Sequence, residues 1–279
     1  MPVIAVIAAG AMGSAVGRVL VEHGAEVRTL LAGRSPDSVA RAAASGMQPV
    51  DMAGIAAADV ILSIVPPGDA LSLAEQLAPA LRHAKPDLIY ADCNAVSPQT
   101  VKRVEAAVAP GGIRFVDAGI IGGPPKPGSA GPVFYASGEH AAGLALLAQH
   151  GLTVKLLDGP VGAASGLKMS YAGITKGLTA LATAMMLSAT RFGAASDLAA
   201  ELADSQPELL AMFRRQVPGM YPKAYRWVAE MQEIAAFAGE DAGARQIYMG
   251  MAELYEDLAA DQAGAQHSIS ALDAFLSHP

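Results

Sequence analysis

A glycine-bearing turn close to the N-terminus is the strongest chemical feature of the sequence. In the run V-I-A-A-G-A-M-G, Ala8, Gly10 and Gly13 occupy the three positions of a G-x-G-x-x-G dinucleotide loop, with Ala8 replacing the first glycine. Gly10 lets the backbone approach a pyrophosphate, and Gly13 lets the next helix pack on the preceding strand. Glycines also mark ordinary strand-to-helix turns, but this turn opens a predicted helix whose N-terminus favours negative charge. The residues predicted to bind a dinucleotide are Ala9, Gly10, Ala11, Met12 and Gly13.

The residues after the second predicted strand indicate which dinucleotide is bound. An NAD site usually has Asp or Glu there to hold the ribose hydroxyls, whereas this sequence reads A-G-R-S over residues 32–35. Arg34 offers a planar cationic fork to a 2′-phosphate, and Ser35 offers a hydroxyl and a helix N-terminus. We therefore expect NADP, with NAD as the weaker alternative. The competing interpretation is that Arg34 is a solvated surface charge.

Two further loops follow the third and fourth predicted strands, as V-P-P over residues 65–67 and D-C-N-A-V-S-P over residues 92–98. Ligands of open α/β sheets bind outside the carboxyl ends of the strands, so both loops are expected to border the cofactor. Val65, Pro66 and Asn94 are the predicted cofactor contacts. Asn94 is also a candidate for a polar contact with substrate.

The segment D-A-G-I-I-G-G-P-P, residues 117–125, ends the next predicted strand with paired glycines and paired prolines. Two interpretations stay open for it. The segment either presents backbone N–H groups to a substrate anion or serves only as a stiff connection. Under the first interpretation Ile121, Gly122 and Gly123 contact the substrate.

Lys168 lies near the start of a predicted helix among small and apolar neighbours. Tyr171 lies one turn beyond it and Thr175 two turns beyond it, on neighbouring surface. A partly buried ammonium loses its proton more easily than an exposed one, so it can exchange a proton with a carbonyl oxygen as hydride is transferred. Lys168 and Tyr171 are the predicted catalytic residues and Thr175 a predicted substrate contact. The alternative is a lysine that reaches solvent at a domain junction.

These residues need a sheet and a long helix to position them. Short β-branched runs alternate with Ala-rich helical segments up to about Gly159, which is typical of βαβ units around a parallel sheet. Beyond that point apolar residues recur at helical intervals, with no linker, so a long helix beginning near Val161 is expected to join the domains. The fold class predicted is an α/β Rossmann domain, residues 1–160, followed by an all-α domain, residues 161–279. The predicted strands are Val3–Ala8, Glu26–Leu31, Val60–Val65, Leu88–Asp92, Arg114–Asp117, Val133–Ala136 and Val154–Leu157.

The composition narrows the classes of function. The 279 residues carry a net charge of −7 with no basic block, which argues against a nucleic-acid partner. No stretch reaches the roughly 18 apolar residues of a membrane span. One cysteine and six scattered histidines offer no cluster of metal-ligand spacing, so no metal is predicted. The single cysteine favours a cytoplasmic location.

The sequence resembles the β-hydroxyacid dehydrogenase superfamily, which includes 6-phosphogluconate dehydrogenases and imine reductases. Four motifs occur in the expected order over nearly the whole chain: G-A-M-G, D-C-N-A-V-S-P, D-A-G-I-I-G-G and the Lys168 helix. The resemblance implies a Rossmann domain, a helical C-terminal domain, and a homodimer with its active site in the cleft between domains. We expect the first domain to bind NADP and the helical domain to serve substrate binding and dimerisation. It also implies that Lys168 is the catalytic lysine of an enzyme acting on a small hydroxy or carbonyl substrate.

The sequence departs from that superfamily at two positions. Where Ser-Gly-Gly is common in the substrate loop, Ile121 precedes the two glycines, which removes a hydroxyl that would hold a substrate carboxylate. Where Asn is common one turn after the lysine, this chain has Ala172, and Tyr171 takes the place of the His of phosphogluconate enzymes. We therefore expect a less polar substrate than a sugar acid. Imine reduction is the enzymatic alternative, and a non-catalytic NADP-sensing or scaffold protein is the alternative of a different class.

Overall fold

The computed structural model describes residues 1–126, 128 and 131–278. It divides into two compact units, Met1–Met169 and Ser170–Pro279. In the part of the chain described, no helix is both long enough and apolar enough to cross a membrane. The assignment of separate cofactor and substrate functions to residues 1–160 and 161–279 stays a prediction.

The first unit is built on an eight-stranded sheet with the strand order β3-β2-β1-β4-β5-β6-β7-β8. The first six positions follow the order of a Rossmann fold, with β1 at the point where the strand order reverses. This confirms the predicted α/β class. The strands are β1 Val3–Ile7, β2 Glu26–Thr29, β3 Gln48–Pro49, β4 Val60–Ser63, β5 Ile89–Asp92, β6 Arg114–Ile121, β7 Val133–Ser137 and β8 Thr153–Leu156.

The central strands are buried on both faces. Alternate residues of β1 enter two different apolar clusters, with Ile4 and Val6 on one face of the sheet and Ala5 and Ile7 on the other. All four residues of β4 are likewise buried. Strands covered on both faces read as continuous apolar runs, which is why the sequence identifies them.

The helices of the first unit cover these faces. Ser35 and Ser97 begin α2 and α5, because each hydroxyl accepts a hydrogen bond from the backbone N–H three residues later. Gly46, at φ +70°, lies just after the end of α2, where a left-handed residue commonly ends a helix. The helices are α1 Ala11–Glu22, α2 Pro36–Ala44, α3 Met52–Ala56, α4 Ala70–Leu81, α5 Pro98–Val108 and α6 Ala145–Gln149.

The sheet differs from the expected parallel arrangement at β7. This strand runs antiparallel to β6, with Ile121 opposite Val133. The link between those two residues is shorter than the dozen or more residues of a parallel crossover, so the chain returns directly beside β6. The sequence also missed β3, which is only two residues long.

A 29-residue helix, α7 Ala163–Arg191, begins in the first unit and continues through the second. It starts two residues after the predicted position, Val161. Apolar residues recur at helical intervals in the second unit, as expected. Most of them are buried, among them Met231, Ile234, Tyr255 and Leu258, whereas Ile247 is 57% exposed. The remaining helices are α8 Ala195–Ser205, α9 Pro207–Met220, α10 Ala224–Phe237, α11 Ala242–Ala263 and α12 His267–Leu276.

Candidate cofactor and active site

Three loops meet at the carboxyl edge of the parallel strands. The loop after β1 is joined to the loop after β4 by a 3.3 Å hydrogen bond from the Ala8 N–H to the Ile64 carbonyl. The loop after β5 is joined to the same neighbour, since the Cys93 N–H donates to the Ser63 carbonyl at 2.9 Å. The edge at which α/β proteins bind their ligands is therefore formed by the loops that the sequence singled out.

The turn between β1 and α1 has the shape that a dinucleotide needs. A Cβ on Gly13 would lie 1.9 Å from the Ala8 carbonyl oxygen, so only glycine lets α1 pack this closely on β1. A Cβ on Gly10 would meet nothing within 4 Å, and Gly10 caps α1 without a side chain over the first turn. The N–H groups of Ala11, Met12 and Gly13 belong to that first turn, which has no intrahelical acceptors to use them. The turn thus fits a pyrophosphate.

A chain of hydrogen bonds connects this turn to the start of α2. Arg41 donates from Nε to the Ala9 carbonyl at 3.0 Å and from Nη2 to the Ser38 hydroxyl at 3.0 Å. The Ser38 hydroxyl in turn lies 3.1 Å from that of Ser35. Arg34 lies next to Ser35, partly exposed, and its backbone N–H bonds to Leu31. Two arginines and two serines therefore surround the position after β2.

Arg41 is a residue of this site that the sequence did not predict. The sequence signal for Arg41 is weak, because it is an exposed helical arginine three residues after Ser38. No neighbouring residue in the sequence indicates that its side chain contacts the β1 turn. Only the pairing of β1 with β2 brings α2 beside that turn.

Asn94 is almost fully buried, and its amide joins two loops. Its Oδ1 accepts a 2.7 Å hydrogen bond from the Val65 N–H, and its Nδ2 donates to the Ser63 hydroxyl at 2.9 Å. These bonds fix Val65 and Pro66 beside the β1 turn. The structure therefore shows Asn94 as a loop-positioning residue, while its direct contact with cofactor or substrate stays a prediction.

The one cysteine of the chain is a buried thiol at the same edge. Burial raises the pKa of Cys93 well above its usual value, and the neighbouring Asp92 and Asp117 raise it further. A thiol held protonated is a poor nucleophile. Cys93 is thus a core residue.

Asp117 fixes the start of α7 against β6. Its Oδ2 accepts hydrogen bonds from the backbone N–H groups of Gly162 at 2.8 Å and Ser165 at 3.0 Å, and from the Ser137 hydroxyl at 3.0 Å. Its Oδ1 accepts a 2.6 Å bond from the Ser165 hydroxyl. A fully buried carboxylate at the N-terminus of a helix is stabilised by these donors and by the helix dipole.

Lys168 lies one turn farther along α7 and contacts the end of β6. Its Nζ donates a 2.6 Å hydrogen bond to the Ile120 carbonyl. A Cβ on Gly119 would lie 3.0 Å from the Ala164 carbonyl oxygen and 3.1 Å from the Lys168 Cβ, so this glycine allows the close approach of helix and strand. The amino group is thereby placed at the carboxyl edge of β6, the edge that also carries the β1 turn.

The structure corrects the prediction for residues 117–121. The sequence placed the end of the strand at Asp117, but β6 continues to Ile121 because its last residues pair with β7. The loop begins at Gly122, whose φ of +121° requires glycine. Gly123 is exposed and open around its Cα. The substrate contacts of Ile121, Gly122 and Gly123 stay predictions.

The two other candidates on α7 differ in exposure. Tyr171 is 50% exposed, whereas Thr175 is partly buried. The Thr175 hydroxyl donates to the Tyr171 carbonyl at 2.9 Å, as threonines commonly do within helices. The catalytic role of Tyr171 and the substrate contact of Thr175 stay predictions.

A cavity of about 590 Å³ lies elsewhere in the first unit. Lys102, Phe115, Glu139 and Val161 are among the residues that line it. Phe115 is near the start of β6, at the end of the strand opposite to Ile120. The cavity therefore does not belong to the carboxyl edge.

The sheet order, the β1 turn and the loops at the carboxyl edge define a dinucleotide-binding protein of the Rossmann class. Residues 3–147 match the family described as the NAD binding domain of 6-phosphogluconate dehydrogenase, and residues 189–258 match a domain of unknown function, DUF1932. The first match spans more than half of the chain, and the chain belongs to that family. Family and fold make it an NAD(P)-dependent oxidoreductase of the hydroxyacid dehydrogenase type.

Solved structures share this architecture along the whole chain. The conserved protein MTH1747, of unknown function and structurally similar to 3-hydroxyacid dehydrogenases, is 27% identical, with a TM-score of 0.70 over 94% of this chain and 99% of its own. The 3-hydroxyisobutyrate dehydrogenase of Mycobacterium tuberculosis, with L-serine, is 21% identical, with a TM-score of 0.70 over 98% and 99%. The imine reductase of Myxococcus stipitatus, in complex with NADP⁺, is 19% identical, with a TM-score of 0.56 over 99% and 100%.

Proposed function

We propose that this chain is an NADP-dependent oxidoreductase in which Lys168 is the general acid or base for a small hydroxy or carbonyl substrate. The observation that carries the proposal is the 2.6 Å hydrogen bond from Lys168 Nζ to the Ile120 carbonyl, which holds the amino group at the edge of the sheet where the β1 turn lies. Hydride transfer at carbon needs a proton partner at the substrate oxygen, and a positioned amino group can supply or remove it.

The residues at the carboxyl edge have separate roles in binding and catalysis. The first turn of α1 and Gly10 hold the pyrophosphate, and Arg34 with Ser35 holds the 2′-phosphate. When bound, the nicotinamide supplies or accepts the hydride. Lys168 holds the proton that moves to or from the substrate oxygen, and the Ile120 carbonyl keeps its amino group in place. Tyr171, one turn away on α7, donates a second hydrogen bond to the substrate.

The substrate is less polar than a sugar acid. Ile121 stands where a serine would hold a carboxylate, and Ala172, which is almost fully buried, stands where an asparagine would offer an amide. The same two residues support imine reduction as the second candidate, in which Lys168 or Tyr171 protonates or positions nitrogen. Homodimerisation and a cytoplasmic location belong to this proposal as well.

The first test is a titration with NADPH and NADH, read as thermal stability, on the wild-type protein and on Arg34→Ala. A ligand that binds only the folded state raises stability with the logarithm of its concentration over its Kd. We expect a preference for NADPH, and a loss of about 10- to 100-fold in NADPH affinity in Arg34→Ala with NADH binding unchanged. An equal affinity of the wild-type protein for both cofactors would refute the NADP assignment.

The second test is turnover of a panel of ketones, aldehydes, hydroxyacids and cyclic imines. Lys168→Ala is expected to lose at least about 100-fold in kcat and to retain NADPH binding. The control is Lys102→Ala, at an exposed position on α5, which should retain both the wild-type kcat and NADPH binding. A Lys168→Ala enzyme with normal kcat would refute the catalytic role of the lysine. A wild-type protein that binds NADPH tightly but turns over no member of the panel would instead be a sensor or scaffold.

A further inference from the structure

The cavity of about 590 Å³ in the first unit combines apolar and charged walls. Its buried part is apolar and includes Val108 and Phe115, with Ile113 and Val161 partly buried beside them. The titratable side chains that line it are Lys102, Glu105, Glu139 and His140. Small-molecule sites in proteins usually occupy about 300 to 1,000 Å³ and pair an apolar lining with a few polar groups. The cavity has the size and the lining of such a site.

The titratable groups come from two elements. Lys102 and Glu105 lie three residues apart on α5, so they share one surface of that helix. Glu139 and His140 lie in the turn that follows β7. Within the part of the chain that the structure describes, none of these four side chains forms an ion pair or a hydrogen bond. A ligand can therefore use them without breaking an existing contact.

The turn after β7 is fixed to the segment that leads into α7. The Gly138 N–H donates a 3.0 Å hydrogen bond to the Gly159 carbonyl. Val161 packs against Gly138, since a Cβ on that glycine would lie 2.8 Å from the Val161 Cγ2. The φ of +102° at Gly138 also requires glycine. The fold thus holds this wall of the cavity in place.

The cavity lies beside the contact that begins α7. Gly162 follows Val161 in the chain, and its N–H donates to Asp117 Oδ2 at 2.8 Å. Lys102 reaches the same point, because a Cβ on Gly162 would lie 3.9 Å from the Lys102 Cε. Phe115 is two residues before Asp117 and on the same face of β6. A molecule in the cavity therefore contacts both of the elements that Asp117 joins.

We propose that this cavity binds a free amino acid with an apolar side chain, and that the bound amino acid stabilises the start of α7. Lys102 and His140 receive the carboxylate, while Glu105 and Glu139 receive the ammonium group. The apolar side chain packs against Phe115. A dicarboxylate would meet two glutamates and a diamine would meet the lysine, so groups of both signs on one small molecule match the cavity best. Binding at this site is independent of the cofactor and of the catalytic role proposed above.

The first test is isothermal titration of the wild-type protein with L-leucine and with two analogues that each lack one charge. These are 4-methylpentanoate, without the ammonium group, and 3-methylbutylamine, without the carboxylate. We expect a Kd of about 1 mM or tighter for L-leucine and an affinity at least about tenfold lower for each analogue. An analogue that binds as tightly as L-leucine would refute the zwitterionic ligand. A lack of binding by L-leucine, L-valine and L-phenylalanine at about 10 mM would overturn the proposal as a whole.

The second test places the binding in this cavity. Lys102→Ala and Glu139→Gln change exposed side chains, so we expect unchanged melting temperatures and a loss of at least about tenfold in affinity for L-leucine. The matched control is Arg103→Ala, at the neighbouring exposed position of α5, which should retain the wild-type Kd. Lys168→Ala should also retain it. Wild-type affinity in both cavity variants would overturn the proposal, and so would loss of binding in Lys168→Ala, which would assign the amino acid to the carboxyl edge.

The third test measures the effect on α7 by hydrogen exchange, without any assay of turnover. A ligand at ten times its Kd that binds only the closed start of α7 slows exchange there by about tenfold. We expect this slowing with L-leucine in peptides that cover residues 162–168, and no change in peptides from α1. Unchanged exchange over residues 162–168 at saturating L-leucine would refute the stabilisation of α7.

Discussion

The carboxylate of Asp117 accepts a 2.6 Å hydrogen bond from the Ser165 hydroxyl, and this contact determines where Lys168 meets the sheet. Asp117 and Ile120 lie three residues apart on β6, while Ser165 and Lys168 lie three residues apart on α7. Strand β6 and helix α7 are thus joined at two points, by the Asp117–Ser165 bond and by the Ile120–Lys168 bond. The position of the amino group therefore depends on the Asp117–Ser165 pair as well as on its own bond to the Ile120 carbonyl.

Ser165→Ala is therefore expected to weaken both stability and catalysis. Loss of a buried hydrogen bond to a carboxylate should lower the free energy of unfolding by about 1.5 to 3 kcal/mol, measured by urea denaturation. A looser helix start should also lower kcat, by about tenfold, with the affinity for NADPH unchanged. Ser170→Ala, at an exposed position on the same helix, is the matched control and should change neither quantity. Stability and kcat at wild-type values in Ser165→Ala would show that the other three bonds to Asp117 suffice.

Gly119→Ala tests the close approach of α7 to β6. The new methyl group would lie 3.1 Å from the Lys168 Cβ and 3.0 Å from the Ala164 carbonyl oxygen, so the helix must move outward by a few tenths of an ångström. We expect a loss of about 1 to 3 kcal/mol in unfolding free energy and of up to about 100-fold in kcat, because misplacement of a catalytic group is costly. Gly250→Ala in α11, where a Cβ meets nothing within 4 Å, should be neutral or slightly stabilising. Unchanged kinetics in Gly119→Ala would mean that the lysine tolerates this movement.

Local sequence signals predicted the parts of this structure that local physics determines. The turn from Ala9 to Gly13 is set by glycine sterics, and the start of α2 is set by the hydroxyl of Ser35. The buried strand β4 is visible as an apolar run for the same reason. The helix that carries Lys168 follows from apolar residues at helical intervals and from the absence of proline between Ala163 and Arg191.

The remaining features depend on contacts between residues far apart in the chain. The sequence placed the end of this strand at Asp117, yet pairing with β7 extends β6 to Ile121. The bond from Arg41 to Ala9 spans 32 residues and exists only after β1 and β2 have paired. The cap of α7 by Asp117 spans 45 and 48 residues. No periodicity or motif within one element encodes such contacts.

Arg41→Ala is expected to weaken NADPH binding through two effects. The guanidinium orders the β1 turn by its bond to the Ala9 carbonyl, and it adds positive charge beside Arg34 and Ser35. Loss of the ordered turn should lower the affinity for both cofactors by a few-fold. Loss of the positive charge should lower the affinity for NADPH further, by about tenfold. Isothermal titration of NADPH and NADH with Arg41→Ala and Arg41→Lys separates them, because lysine keeps the charge but not the fork. An equal loss of affinity for NADPH and NADH in Arg41→Ala would show that Arg41 orders the β1 turn and does not contribute to the preference for NADPH.

Glu230→Gln tests the buried ion pair of the second unit. Glu230 pairs with Lys176, and both side chains are about 15% exposed. Burial lowers the pKa of Lys176, and Glu230 counteracts this by favouring the charged form. Without Glu230 the ammonium is buried unpaired, so we expect a loss of about 3 kcal/mol in unfolding free energy at pH 7.

The pH dependence of the Glu230→Gln defect follows from the same pKa. The cost of burying a charged Lys176 is paid in full below its folded pKa, where both folded and unfolded states hold the proton. The cost falls as the pH rises from the folded pKa towards the unfolded value of 10.5, and it vanishes above that value, where the amine is neutral in both states. Urea unfolding of Glu230→Gln at pH 7 and pH 9.5 should therefore show a smaller defect, relative to the wild-type protein, at the higher pH.

The double variant Lys176→Met with Glu230→Gln should regain most of the lost stability at both pH values, since an apolar side chain of similar length needs no partner. A defect in Glu230→Gln that does not change with pH would show that packing around Trp227, and not the unpaired charge, carries the effect.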